Sequence, residues 1–147
     1  MDTVIGRMGG PVLVTMVERR SRFTLIRLVL SKEATAVILE ATMPYRDKVL
    51  SHTYDNGKEF AMHGLLTEIM EAQAYFAHPY HSWERGLNEN TNGLIRQYFR
   101  KKTDFSTITR KDVKEVQDKL SRRFRKYLDY QAPNDTFFPT HSIVLAA

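Results

Sequence analysis

The sequence predicts an α/β fold in which a mixed sheet of five strands carries helices on both faces. Three observations lead there. Two short β-branched runs, 11–17 and 23–30, are separated by only five polar residues, as in an antiparallel hairpin. Beyond residue 30, strand-like runs alternate with stretches of helical periodicity, and such alternation packs helices on a sheet. The chain has 147 residues, 42% of them hydrophobic, enough to bury one full core, and nothing in it calls for a second domain.

Thr3-Val4-Ile5-Gly6 reads as the tail of a strand, cut short by the start of the chain, and Gly9-Gly10-Pro11 breaks it from the next. The runs 11–17 (Pro-Val-Leu-Val-Thr-Met-Val) and 23–30 (Phe-Thr-Leu-Ile-Arg-Leu-Val-Leu) are too short and β-rich for helices. Glu18-Arg19-Arg20-Ser21-Arg22 turns between them. Ser31 suits a helix N-cap, 32–42 places Ala34, Val37, Ile38 and Ala41 at helical spacing, and Pro44 closes that helix. A fourth strand is expected over 48–54, turning at Asp55-Asn56-Gly57. Asn56 and Glu59 have the form of a capping box, starting a helix that buries Phe60, Leu65 and Ile69. The fifth strand, 72–76, ends before His78-Pro79. A long helix from Trp83 follows with Leu87, Leu94 and Tyr98 as its apolar stripe, and a last helix over 109–128 carries Val113, Val116, Leu120 and Phe124. No internal repeat or low-complexity linker interrupts the order.

Composition narrows the chemistry. Without cysteine there are no disulfides, thiolate metal sites or cysteine nucleophile, which fits a reducing bacterial cytoplasm. No apolar run approaches the roughly 18 residues of a spanning helix, so no membrane is expected as partner. The net charge is +5, yet 96–126 holds twelve Lys or Arg against four acids, so that segment is +8 and the remainder −3. Such asymmetry suits a phosphate-binding surface beside an acidic, cation-binding one; a solvated basic helix without a partner is the plain alternative.

The most specific stretch is 75–99, which runs from Tyr75-Phe76-Ala77-His78-Pro79-Tyr80-His81-Ser82-Trp83 into Asn88-Glu89-Asn90-Thr91-Asn92-Gly93-Leu94. At about 100° per residue Glu89 lies about 200° from Leu87 and so faces away from the apolar stripe, near Arg85, Asn92 and Arg96. Asp55 precedes it with 33 residues between. Asp2, Asp55 and Glu89 fall at a first strand, at the end of a later strand and on a flanking helix, places that converge at one sheet edge. Three carboxylates suit phosphodiester chemistry, where two divalent cations such as Mg²⁺, held by hard oxygen ligands, offset charge on the attacking and leaving oxygens. His78 and His81, three apart around a proline, have a spacing open to zinc, but polar packing is the preferred reading. Trp83, Tyr75, Phe76 and Tyr80 are read as core before base-stacking groups. Glu59 is read as a helix cap before a metal ligand.

Asp55-Asn56-Gly57-Lys58-Glu59-Phe60, the 75–83 segment and 88–94 resemble the catalytic domain of the insertion-sequence-thirty family of bacterial transposases. Asp2-Thr3-Val4-Ile5-Gly6 is similar to the family's first acidic strand, and Val17-Glu18-Arg19 with Ser21-Arg22 to its second-strand turn. The resemblance covers nearly the whole chain. It implies a ribonuclease-H-like, retroviral-integrase-like core with a truncated first strand. The 147 residues are expected to be one integrase-type domain without the family's amino-terminal helix-turn-helix region. It further implies an Asp2, Asp55, Glu89 triad that is both catalytic and metal-binding, two Mg²⁺ or Mn²⁺ ions as cofactors, and DNA transposition by strand cleavage and transfer. Implied partners are transposon ends, target DNA, and a homo-oligomer or the full-length transposase, with a nucleoid-associated location. Asn88, Asn92, Arg96, Lys101, Lys102, Arg122 and Arg123 are candidate DNA contacts from the helix faces and basic runs. Ser121 and Phe124 depart from the family pattern in Leu120-Ser121-Arg122-Arg123-Phe124-Arg125-Lys126. An inactive remnant that binds DNA non-specifically through its basic carboxyl-terminal helix is the alternative. A stand-alone nuclease of the same fold, lacking strand transfer, is another.

Overall fold

β-Branched and apolar residues of the amino-terminal segment form three antiparallel strands, β1 (Asp2–Ile5), β2 (Val12–Val17) and β3 (Thr24–Val29). Their register pairs Asp2 with Thr15, and Val17 with Thr24. The computed structural model describes residues 1–30, 34–54, 63–76 and 82–139. The β2–β3 turn is closed by Glu18 N–H donating to the Phe23 carbonyl at 2.8 Å and Arg22 N–H to the Glu18 carbonyl at 3.0 Å. β4 (Ser51–Tyr54) and β5 (Gln73–Phe76) pair in parallel, with α2 (His63–Met70) between them in the chain. The Met1 amino group donates to the Thr53 carbonyl and joins the start of β1 to the end of β4. In place of one continuous five-stranded sheet, the described strands form a three-stranded antiparallel ladder and a two-stranded parallel one, and the Met1 bond links the two.

Side-chain alternation along β2 and β3 divides the core between the two faces of the sheet. Val14, Met16, Phe23, Leu25 and Val29 pack on one face with Ala34, Ile38 and Ala41 of α1 (Ala34–Thr42) and Leu66 of α2. Leu13 and Ile26 point the other way, into a cluster with Ile95 of α3 (Ser82–Ile95), Phe99, Phe105, and Val113, Val116 and Leu120 of α4 (Arg110–Arg122). α4 also serves the sheet edge: Gln117 Oε1 accepts from the Ile26 N–H at 3.1 Å and from the Arg27 guanidinium at 2.8 Å. This satisfies an edge-strand donor that would otherwise lie buried without a partner. A short α5 (Pro133–Phe137) ends the described chain, its Phe137 ring stacked on Phe23 at 4.4 Å between centroids.

Several expected boundaries shift. Pro44 lies at the start of a 3-10 turn, Met43–Lys48, because a proline fits the first turn of a helix; β4 therefore begins at Ser51 rather than at 48. α2 buries Leu66 and Met70, while Leu65 is 43% exposed, a rotation of one residue about the helix axis. α3 buries Thr91 and Ile95, and Leu87 and Leu94 are only half-buried; Tyr98 lies exposed beyond its end. α4 stops at Arg122, before the expected 128, because Arg123 is extended, and Phe124 points to solvent instead of the core. The Ser31 cap, the Asp55-Asn56-Gly57 turn, the Asn56–Glu59 box, Phe60, His78, Tyr80 and His81 lie outside the described residues.

Candidate active site

Asp2 opens β1 half-buried, where its carboxylate accepts from the Thr3 N–H at 2.8 Å and from Asn92 Nδ2 at 2.8 Å. Thr15, its register partner on β2, is fully buried. The Thr15 hydroxyl lies 3.1 Å from two acceptors, the Asp2 carbonyl and Asn92 Oδ1. Asn92 thereby locks α3 against the two strands beside Asp2, and the buried Thr91 and Ile95 hold the helix down on the sheet.

Glu89 is exposed and stands three residues before Asn92 on α3. Residues at that spacing are neighbours on a helix surface, with Cβ atoms about 5–6 Å apart. The side of α3 that touches Asp2 is therefore the side that carries Glu89. Asp55 lies outside the described residues; the chain reaches it directly from Tyr54, the last residue of β4. Thr53, two positions before Asp55, accepts from the Met1 amino group, so the approach to Asp55 runs alongside the start of β1. Among the described residues no three His, Asp or Glu side chains group closely enough to hold a metal ion.

The carboxylates present suit a hard divalent cation. Each oxygen of Asp2 accepts one protein hydrogen bond, and a carboxylate oxygen has two lone pairs, so both keep capacity for a further partner.

The candidate DNA-contact residues divide by what they touch. Both polar atoms of the Asn92 amide are bonded within the protein. Arg96 donates to the Ile5 carbonyl at 2.6 Å and reaches the Arg100 carbonyl at 3.5 Å. Asn88 is half-buried in the wall of a cavity of about 380 Å³ at the end of β4, which Arg19, Lys48, His52 and Thr53 also line. Lys101, Lys102, Arg122 and Arg123 are exposed.

Further residues, none of them a candidate site residue in the sequence, take part in this edge. Thr15 orients Asp2 and Asn92; its position opposite Asp2 is a matter of strand register, which the sequence does not display. Arg19 donates to the Thr53 hydroxyl at 3.2 Å and ties the β2–β3 turn to β4. Burial of the neighbouring Glu18 carboxylate opposes its ionisation, yet the Arg20 N–H, the Ser21 hydroxyl and N–H and the Arg20 charge together hold it below the ordinary carboxylate range. His52 is 4% exposed, and its Nε2 has no hydrogen-bond partner among the described residues. Burial, and secondarily the Met1 amino charge, lower its pKa to about 4, so the ring is neutral near pH 7. Burial raises the phenol of Tyr54 to about 12.

No protein-family model matches the chain. It is 46% identical over 140 residues to a transposase for insertion sequence element IS4351 from Bacteroides fragilis, aligning 93% of this chain and 43% of that protein. It is 38% identical over 142 residues to the transposase InsI for insertion sequence element IS30C from Escherichia coli K12, aligning 91% of this chain and 36% of that protein. The chain thus spans about two-fifths of the length of these curated relatives. Among solved structures, the simian T-cell lymphotropic virus intasome in complex with a PP2A regulatory subunit matches 99% of this chain and 55% of that one, with a TM-score of 0.71 at 16% identity. The catalytic core domain of BIV integrase matches 93% of this chain and 91% of that one, with a TM-score of 0.64 at 14% identity. The described helices on a mixed sheet have the fold of these cores, which is ribonuclease-H-like. The chain is therefore a relative of the insertion-sequence-thirty transposases, matching them over a segment that has the fold of an integrase catalytic core.

Proposed function

We propose that this chain is the catalytic core of a DNA transposase, cleaving and joining phosphodiesters with Asp2, Asp55 and Glu89. The observation that carries the reading is the Asn92 bridge, which ties the Glu89-bearing helix to the Asp2 carboxylate at 2.8 Å. Asp2, Asp55 and Glu89 would hold Mg²⁺ or Mn²⁺, two ions in this reading, and such ions offset charge on the attacking and leaving oxygens of an in-line displacement. In the first step a water oxygen bonds to phosphorus at the element's end and the P–O3′ bond breaks, freeing a 3′-hydroxyl. In the second, that hydroxyl oxygen attacks a target phosphodiester and displaces the target's own 3′ oxygen.

Asn92 and Thr15 act here as positioning residues, fixing the Asp2 carboxylate and the helix that carries Glu89. Asn88, Arg96, Lys101, Lys102, Arg122 and Arg123 supply the DNA-facing surface, where cations meet phosphates without reading sequence. Transposon ends, target DNA and further copies of the transposase are the partners, and a nucleoid location follows from them.

Nicking of supercoiled plasmid tests the reading. Metal-dependent nicking is expected from the parent chain and its loss from Glu89→Gln and Asp55→Asn, each by at least about 100-fold, on the scale of removing a group that acts in the transition state. DNA binding without metal-dependent nicking would sink the catalytic reading and leave a DNA-binding remnant.

A further inference from the structure

Beyond α4 the chain makes a tied loop whose aromatic side chains are left outside. Arg123 leaves the helix extended, and Arg125 and Gln131 then form an antiparallel bridge. Within it, Tyr130 N–H donates to the Arg125 carbonyl at 3.0 Å and Gln131 N–H to the Leu128 carbonyl at 2.8 Å. Asp129 and Tyr130 take positive φ of 49° and 62° to close the turn. The Arg125 guanidinium folds back to the Leu120 carbonyl at 3.2 Å, placing a cation at the carboxyl end of α4. Despite this framework Phe124, Tyr127 and Tyr130 are 70%, 69% and 68% exposed. Scattered exposed aromatics are ordinary, but three in seven residues on one tied loop contribute little to the core.

The charges around that loop indicate what it faces. Arg122, Arg123 and Lys126 are exposed beside the aromatics, with Asp129 as the one acid in 122–131. The Arg22 guanidinium lies 4.1 Å over the Tyr127 ring, an attraction that orients the ring and leaves its exposed side for another planar group. Arg22 belongs to the β2–β3 turn, the same turn from which Arg19 bonds Thr53 at the end of β4. Cationic and aromatic side chains therefore run from the strand end that leads to Asp55, along the β2–β3 turn, to the loop 123–131.

We infer that Tyr127, oriented by Arg22, stacks on an unpaired base of the DNA strand that leaves the active-site edge, while Arg122, Arg123 and Lys126 hold its phosphates. An aromatic face backed by cations is the chemistry that binds single-stranded nucleic acid without sequence preference. Duplex DNA, whose bases are already stacked, would use the cations alone. The inference rests on the proposed transposase reading, so its test is separated from catalysis.

Binding is measured by fluorescence anisotropy in EDTA, in a Glu89→Gln background that cannot cleave, with a DNA hairpin carrying a single-stranded 3′ overhang and with the same hairpin blunt. Tyr127→Ala is expected to weaken overhang binding about tenfold, on the scale of one lost base–aromatic stack, and to leave blunt-end binding unchanged. Tyr127→Phe keeps the ring and is expected to bind as the parent does. Equal binding of the overhang by Tyr127→Ala and the parent overturns the proposal. So does an equal loss on both DNAs, which would assign the loop to phosphate contact or to protein contacts. Tyr127 is exposed, and a thermal melt confirms that each variant is folded. Absence of metal-dependent nicking by the parent chain in the plasmid assay, with the overhang preference intact, would instead refute the catalytic reading alone.

Discussion

Asn92 is the residue on which the candidate site turns, because its amide meets Asp2 with one atom and Thr15 with the other. Asn92→Ala removes both bonds without removing a carboxylate. Metal-dependent nicking is expected to fall about 10- to 100-fold, the usual cost of losing a group that orients a metal ligand, and this is read as the initial nicking rate at saturating metal. Gly6 has a different kind of necessity. A Cβ there would stand 2.3 Å from the Thr103 carbonyl oxygen, where the 103–105 segment closes on the end of β1 and the Arg7 N–H donates to Thr103 at 3.0 Å. Gly6→Ala is expected to cost about 1–3 kcal/mol in a urea titration, since backbone rather than a pliable side chain must give way. The candidate acids Asp2 and Glu89 were visible in the sequence, but the Asn92 bridge was not: it depends on a contact across 90 positions.

At the scale of elements, α4 shows how local signals and packing cooperate. Thr109 and Asp112 form a complete capping box, with the Asp112 N–H donating to the Thr109 hydroxyl at 3.2 Å and the Thr109 N–H to the Asp112 carboxylate at 2.8 Å. Thr109→Ala is expected to lower stability by about 1 kcal/mol, seen as a lower urea midpoint with the slope unchanged. The start of this helix was legible from the spacing of Val113, Val116 and Leu120, a local pattern; the cap that fixes it is seen in the structure. Its end was not: Phe124 continues the apolar spacing of Val113, Val116 and Leu120, yet the Arg125–Gln131 bridge draws the chain out of the helix. In α2 the same ambiguity separated Leu65 from Leu66, adjacent apolar residues of which only one can face the sheet.

For the whole molecule, burial of His52 makes stability depend on pH. Its folded pKa, about 4, lies below the ordinary value of 6.5, so the unfolded chain takes up the proton first. Stability is complete above about pH 6.5 and is lost as the pH falls toward 4, by about 3 kcal/mol at the low end from the ratio of the two pKa values. Urea midpoints measured between pH 7 and pH 4 check this, about three units apart. His52→Phe, which keeps the ring stacked beside Tyr54, is expected to flatten that part of the profile. Among the described residues no helix is long and apolar enough to cross a membrane.

The sequence by itself determined the order of the strands and of the helices up to α4, the two-faced layering and the family resemblance, because apolar periodicity and contiguous motifs are written within short windows; α5 was not among the expected elements. Val12–Val17 and Thr24–Val29 were recognisable as strands, and Thr109 as a helix start, on those grounds alone. The tertiary structure alone decided which neighbours share a site: Thr15 opposite Asp2, Asn92 between them, Arg19 on Thr53, and Arg22 over Tyr127. These partners lie far apart in the chain, and their meeting depends on strand register and helix rotation, where a shift of one residue turns a side chain to another face.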